Sequence, residues 1–109
     1  VTLPAAQHAD MVGAYRTAVQ LLGGDFQHVD GTGTARVVQA HFVDPKPDDT
    51  ALINALGLET RIAHTLVITP APQKFDRLIS PPGREYDVRA VHEIIVGNTL
   101  VGYKLYMVG

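Results

Sequence analysis

The sequence predicts a mainly β (α+β) domain: a small rolled antiparallel β-barrel of about six strands, with an N-terminal helix and a short helix in a long loop. Three observations predict it. Apolar residues recur at helical spacing before Gly24 and alternate after it. Asp30-Gly31, Pro81-Pro82-Gly83 and Gly97-Asn98 cut the alternating part into short strands joined by tight turns. Finally, 109 residues hold one core, and an open sheet of this size would leave two long edges for aggregation, so the sheet should roll up. Residues 1–109 then form a single domain, with a helix over 4–22, a barrel over 25–108 and a long loop over 44–60.

The helix begins at Pro4, which suits a first turn because its missing N–H would be unpaired there anyway. Met11, Tyr15, Ala18 and Leu22 form its apolar stripe, flanked by Val12 and Val19, and Gly23-Gly24 ends it. Phe26–Val29 and Thr34–Val43 read as a hairpin around Asp30-Gly31, with Val38, Ala40 and Phe42 on one face. Pro45 and Pro47 remove the N–H groups that a central strand needs, so the chain leaves the sheet there. Thr50 is placed to cap a helix over Ala51–Leu56, closed by Gly57. Ile62, His64, Leu66 and Ile68 alternate as one half-buried strand, and Pro70-Ala71-Pro72 ends it. A short strand over Asp76–Ile79 precedes a long one over Glu85–Val96, with Tyr86, Val88, Ala90, His92, Ile94 and Val96 on one face. Leu100–Val108 returns, with Val101, Tyr103, Leu105 and Met107 together.

Composition removes several classes of function. With 46% hydrophobic and 18% charged residues the chain can bury a core and is not a disordered tail. Its formal charge is −2, split as −3 over 1–54 and +1 over 55–109, and no basic stripe emerges for nucleic acid. The absence of cysteine excludes disulfides, thiolate metal sites and a Cys nucleophile. No apolar run approaches the roughly 20 residues of a membrane-spanning helix, and the first residues lack the basic start of a signal peptide.

The motifs offer little chemistry. Gly31-Thr32-Gly33 starts like a dinucleotide fingerprint, but Arg36 replaces the third glycine and a strand follows where a helix N-terminus is needed. His8, His28, His41, His64 and His92 lack metal-ligand spacing. His64 and His92 fall on apolar faces, where each reads as a buried, hydrogen-bonded imidazole; a meeting of the two inside the barrel stays open. Ser80 is the only serine and has no nucleophile-elbow pattern. Asp44, Asp48 and Asp49 make an acidic loop without the glycine of a calcium site, better suited to solvent or a partner. Asp76, Glu85, Asp87 and Glu93 interleave with Arg77, Arg84 and Arg89 as cross-strand pairs on a wet or subunit-facing surface. We therefore expect no catalytic residue, no metal and no cofactor, and a protein that is not an enzyme.

Three segments carry a resemblance. Ala63-His64-Thr65-Leu66-Val67-Ile68, Phe75-Asp76-Arg77-Leu78-Ile79 and Gly83-Arg84-Glu85-Tyr86-Asp87-Val88-Arg89-Ala90-Val91 follow one another before the closing Tyr103-Lys104-Leu105-Tyr106. This succession resembles the small head–tail joining proteins of tailed bacteriophages, known as adaptors, stoppers or head-completion proteins. The match covers roughly 61–108, with a looser one over 34–43, where Arg36-Val37-Val38-Gln39-Ala40-His41-Phe42 looks like the strand before the family's long variable loop. Ala63 stands where the family often has Thr or Ser. The helix and the 44–60 loop lie outside the match.

The resemblance implies a virion neck protein, assembled in the host cytoplasm, forming a homo-oligomeric ring under the portal. A portal or adaptor protein would lie above it and a tail or tail-terminator protein below. Double-stranded DNA would pass without sequence-specific binding, and a slightly acidic lining would let it slide. No membrane is involved. The loop is the candidate docking or gating element, through Asp44, Lys46, Asp48, Asp49, Leu56 and Glu59. Arg77, Arg84, Glu85 and Arg89 are the candidate inter-subunit surface. The alternative is a small β-barrel that binds a protein or peptide through an exposed edge. A ligand-binding or catalytic barrel built on His64 and His92 ranks third, and a stabilising shift with stoichiometric divalent metal would favour it.

Overall fold

The computed structural model describes residues 5–57 and 59–109, with the side chains of 5–9 outside the description. Its elements are α1 (Ala5–Leu22), β1 (Gly24–Val29), β2 (Ala35–Val43), a 3-10 turn (Pro47–Asp49), α2 (Thr50–Leu56), β3 (Arg61–Leu66), β4 (Arg77–Ser80), β5 (Arg84–Val96) and β6 (Thr99–Val108). The six strands close into an antiparallel barrel in the order β1-β2-β3-β6-β5-β4. Closure comes from β1, where Val29 lies opposite both Ala35 of β2 and Arg77 of β4. The expected rolled barrel is present. The helix start expected at Pro4 lies outside the described residues.

Alternation builds the core. Phe26, Val38, Ala40, Ala63, Leu78, Tyr86, Val88, Leu105 and Met107 point inward as one cluster. Phe42 bridges it, edge-on to Phe26 at 5.4 Å and to Tyr86 at 5.5 Å between ring centroids. Each large side chain so buried contributes about 1.5–3 kcal/mol against its exposed state.

The turns keep their places but not all their types. The first hairpin turns over Asp30-Gly31-Thr32-Gly33 as expected, but the positive φ expected at Asp30-Gly31 falls on Gly33 instead. Gly33 N–H donates to Asp30 O (3.0 Å), and Gly33, with φ 86°, supplies the left-handed residue of a three-residue loop. Asp30 selects this shape, since its Oδ1 accepts from the N–H groups of Thr32 (2.9 Å) and Thr34 (3.1 Å). At the last hairpin Val96 faces Thr99, and Gly97 takes the positive φ, 63°, required at the first of the two turn residues.

Two face assignments are corrected. In β5 the register slips between Val88 and Ala90, leaving Arg89 as a bulge. Val88 and Val91 then face inward, whereas Ala90 and His92, expected beside Val88, turn outward opposite Tyr106 and Lys104. In β3 the inward residues are Ala63 and Thr65 rather than Ile62 and His64. The alternation expected there is genuine, but the outer face is covered as well.

The cover on that outer face is α1. Val19 is fully buried, and the Tyr15 hydroxyl donates to Thr65 O at 2.6 Å. Gly102 makes the contact possible: a Cβ there would lie 1.9 Å from Thr65 O and 2.6 Å from the Tyr15 hydroxyl. The expected stripe is rotated, because Met11 and Leu22 stay exposed while Tyr15 and Val19 carry the contact. The turn into β1 explains the rotation. Gly23 donates to Val19 O and abuts the Ala40 carbonyl, so the chain leaves the helix on the Val19 side.

Candidate functional site

Loop 44–60 is anchored by one of its own acids. Asp49, expected at a docking surface, is 1% exposed and unavailable to a partner. Lys104 Nζ (2.5 Å) and the Tyr106 hydroxyl (2.6 Å), both on β6, donate to its Oδ1, and the Lys46 N–H donates to Oδ2 at 2.7 Å. Burial by itself would raise the Asp49 carboxyl, but these three bonds and the Lys104 charge outweigh it and hold the group far below the usual carboxylate range. The same contacts explain why Asp49 gives α2 no side-chain cap although it stands at the capping position. Thr50, the expected cap, is the first helical residue instead. Asp44, Lys46, Asp48 and Glu59 are exposed around the anchor, and Leu56 is half-buried.

A row of basic and imidazole side chains crosses the outer face beside that anchor. His41 lies opposite His64, His64 opposite Lys104, and Lys104 opposite His92, on β2, β3, β6 and β5 in turn. Thus His64 and His92 do not meet inside the barrel. The His41 and His64 rings lie edge to face at 5.6 Å, with Tyr15 of α1 at 5.9 Å from His64. Burial, helped by the charges of His41, Lys104 and Lys46 and opposed by Asp49, pushes the His64 ring down to about 4. Burial also lowers His41, whose Nδ1 is enclosed without a hydrogen-bond partner among the described residues. A groove of about 410 Å³ opens here, with Val43, Asp44, Pro45 and Lys46 on one side and the two imidazoles on the other. Among the described residues no cluster of three or more His, Asp or Glu could hold a metal ion.

The four residues of the expected inter-subunit surface do not form one pair network. Arg77 and Glu85 make an exposed bond at 3.5 Å, and Arg89 reaches Asp87 at 3.9 Å. Such pairs contribute about 0–1 kcal/mol. Arg84 stacks over Tyr86 and shares with Glu59 and Arg61 a separate groove of about 320 Å³. No protein-family model, curated protein or solved structure matches the chain.

One constellation escaped the sequence reading. Asp76, expected on the wet surface with the arginines, is buried against His28, with His28 Nε2 and Asp76 Oδ2 2.8 Å apart. A carboxylate oxygen only accepts, so Nε2–H is the donor. The Gln73 N–H donates to the same oxygen at 2.9 Å. This pair pins the segment before β4, where Phe75 stands 65% exposed with a φ of 74°. Phe75 is fixed from below by its own N–H to Val88 O at 2.7 Å. Lys74 Nζ lies 5.0 Å and Arg89 Cζ 5.6 Å from the centre of its ring. The only signal in the sequence was an aromatic residue between Lys74 and Asp76 in an otherwise polar stretch. Periodicity is blind to it, because the pairing partner, His28, is 48 residues away.

Proposed function

We propose that the chain is a structural protein of the neck of a tailed phage: a head–tail connector, first of all a stopper or head-completion protein. In this reading it forms a ring under the portal, closes the DNA channel and docks the tail. Adaptor and tail terminator are the neighbouring roles. The observation that carries the reading is the coincidence of the resembling segments with one barrel. They fall on β3, on β4 with the residues before it, and on β5, with β6 pairing between β3 and β5. The unmatched parts, α1 and the 44–60 loop, decorate its outside, where neighbours in a ring would meet. Met11, Leu21 and Leu22 on α1 are exposed apolar surface of the kind that heterologous contacts cover. The formal charge of −2 is consistent with DNA passing without being held.

The test is composition. Particles purified from a lysate of the source should contain the chain at a handful to a dozen copies each by mass spectrometry. Its absence from intact tailed particles would retire the connector.

One observation favours the second reading, a peptide-binding barrel. β2 pairs with β3 only over Ala40–Val43, so among the described residues its first half has a strand neighbour on the β1 side alone. The seam is a groove of about 330 Å³ lined by Val37, Leu66 and Val67 and crossed by Arg36, whose guanidinium donates to Thr69 O. A strand added to that edge would use the free ladder groups of residues 35–39.

A further inference from the structure

We propose that the groove between loop 44–60 and the His41–His64 pair binds a small organic carboxylate, and that the imidazoles take up a proton from solvent as it enters. The site goes beyond the neck reading and does not depend on it.

The lining sets the charge of the ligand. Lys46, Lys104, His41 and His64 stand against Asp44 in a groove of about 410 Å³, a size within the range of small-molecule clefts. Lys104 is committed, since its ammonium and the Tyr106 hydroxyl both donate to Asp49. Lys46 and Asp44 are both exposed and offset one another. With neutral imidazoles the lining is therefore close to balanced, and each proton that they take makes it positive.

Two features leave the imidazoles short of a partner. His41 Nδ1 is enclosed and makes no hydrogen bond among the described residues, whereas an enclosed polar atom normally has one. His64 is ringed by cationic groups: His41 of β2 at 5.6 Å between ring centroids, Lys104 opposite it on β6, and Lys46 on the loop. Tyr15 of α1, at 5.9 Å, is neutral and gives its hydroxyl to Thr65 O, so the buried Asp49 is the carboxylate that opposes them. Burial first, and then these positive charges, hold the His64 ring neutral. An anion in the groove reverses that balance, because it favours the imidazolium, both of whose nitrogens donate.

The walls select among anions. Val43 and Pro45 line the same space as the two rings, and among the described residues no arginine does. A carboxylate on an apolar body fits such walls better than a phosphate, which is best held by guanidinium forks or converging backbone N–H groups. A carboxylate also stays ionised down to about pH 4, so it keeps its charge while the histidines gain theirs.

Benzoate is the probe, with benzamide as its uncharged counterpart and inorganic phosphate as the anion without an apolar body. The intact chain is titrated with each at constant ionic strength while the histidine Cε1–H signals are followed by nuclear magnetic resonance; His41→Gln and His64→Gln assign them. Benzoate should move the His41 and His64 signals and leave that of His28, buried against Asp76, in place. Its affinity should rise about tenfold between about pH 7 and pH 5.5, because binding carries a proton with it, and His64→Gln should flatten that rise. Lys46→Ala keeps the backbone N–H that Asp49 accepts, so it should weaken binding about threefold to tenfold without lowering the melting temperature. The site is overturned if benzoate leaves both signals unmoved, if it binds equally at the two pH values, or if Lys46→Ala leaves its affinity unchanged. Benzamide or phosphate binding as tightly as benzoate would overturn it as well.

Discussion

Asp49 and His64 show how far a single residue's surroundings decide its role. Both were legible as chemistry-bearing side chains, and neither behaves as its position in the sequence implies. Asp49 sits in an exposed acidic loop yet serves as the acceptor that ties the loop to β6. Asp49→Asn would leave the largely buried Lys104 ammonium without its counter-charge, and we expect a loss of about 2–4 kcal/mol in urea unfolding. Because its folded pKa is depressed, the carboxylate's contribution is complete above the unfolded value of about 4 and is lost as the pH falls below it. His64 acts in a different window. It stays neutral in the fold down to about 4, while in the unfolded chain it takes a proton near 6.5. Between these values the unfolded state binds more protons, so stability should fall as the pH drops from about 6.5 to 4. His64→Gln should flatten the melting temperature over that range, with His41 accounting for a smaller remainder.

At the scale of elements, almost every helix and strand was readable, because each carries its own period and its own stop signal. Gly57 and Gly97 end elements at positive φ, whereas Gly23 ends α1 without the left-handed stop expected at Gly23-Gly24, its missing Cβ letting it abut the Ala40 carbonyl. The errors were errors of face. In β5 the extra residue Arg89 reverses the side-chain alternation, so His92 leaves the core side and Val91 enters it. No local pattern announces a bulge, since both faces of β5 carry apolar residues. Deleting Arg89 together with Ala90 would put Val91 directly after Val88 and so point Val91 outward and His92 inward. We expect that deletion to abolish the cooperative melt, followed by circular dichroism, whereas Arg89→Ala should cost about 1 kcal/mol or less. The rotation of α1 has the same origin, for the helix periodicity allowed a wide apolar arc. The exit at Gly23 and the fit of Tyr15 over Gly102 selected part of it.

For the whole molecule, the barrel keeps its exposed functional candidates on separate sectors. Asp44, Asp48 and Glu59 surround the 44–60 loop without supporting it, so the triple change to Ala, at most about 1.5 kcal/mol, should move the melting temperature by no more than about 7 °C. Each surface site contributes at most about 0.5 kcal/mol. If the loop docks a neck partner, particles carrying that variant should lose tails, visible by negative-stain microscopy; normal tailed particles would free the loop of that role. Removing 45–56 outright would be a poorer experiment. It takes away Asp49 and damages the barrel together with any docking surface.

The order and kind of the elements follow from the sequence by itself, as does the closed barrel they build, because period, turn residues and the penalty on open edges act locally or through chain length. The acidic loop, the arginine-bearing strands and the resemblance over 61–108 were equally visible there. Only the tertiary structure decided which side chains share a place. Asp49 with Lys104 and Tyr106, His28 with Asp76, and His41 with His64 join residues from 23 to 57 positions apart in the chain. Such meetings depend on strand order, on register and on a one-residue bulge, and a shift of one position turns a core face into a solvent face.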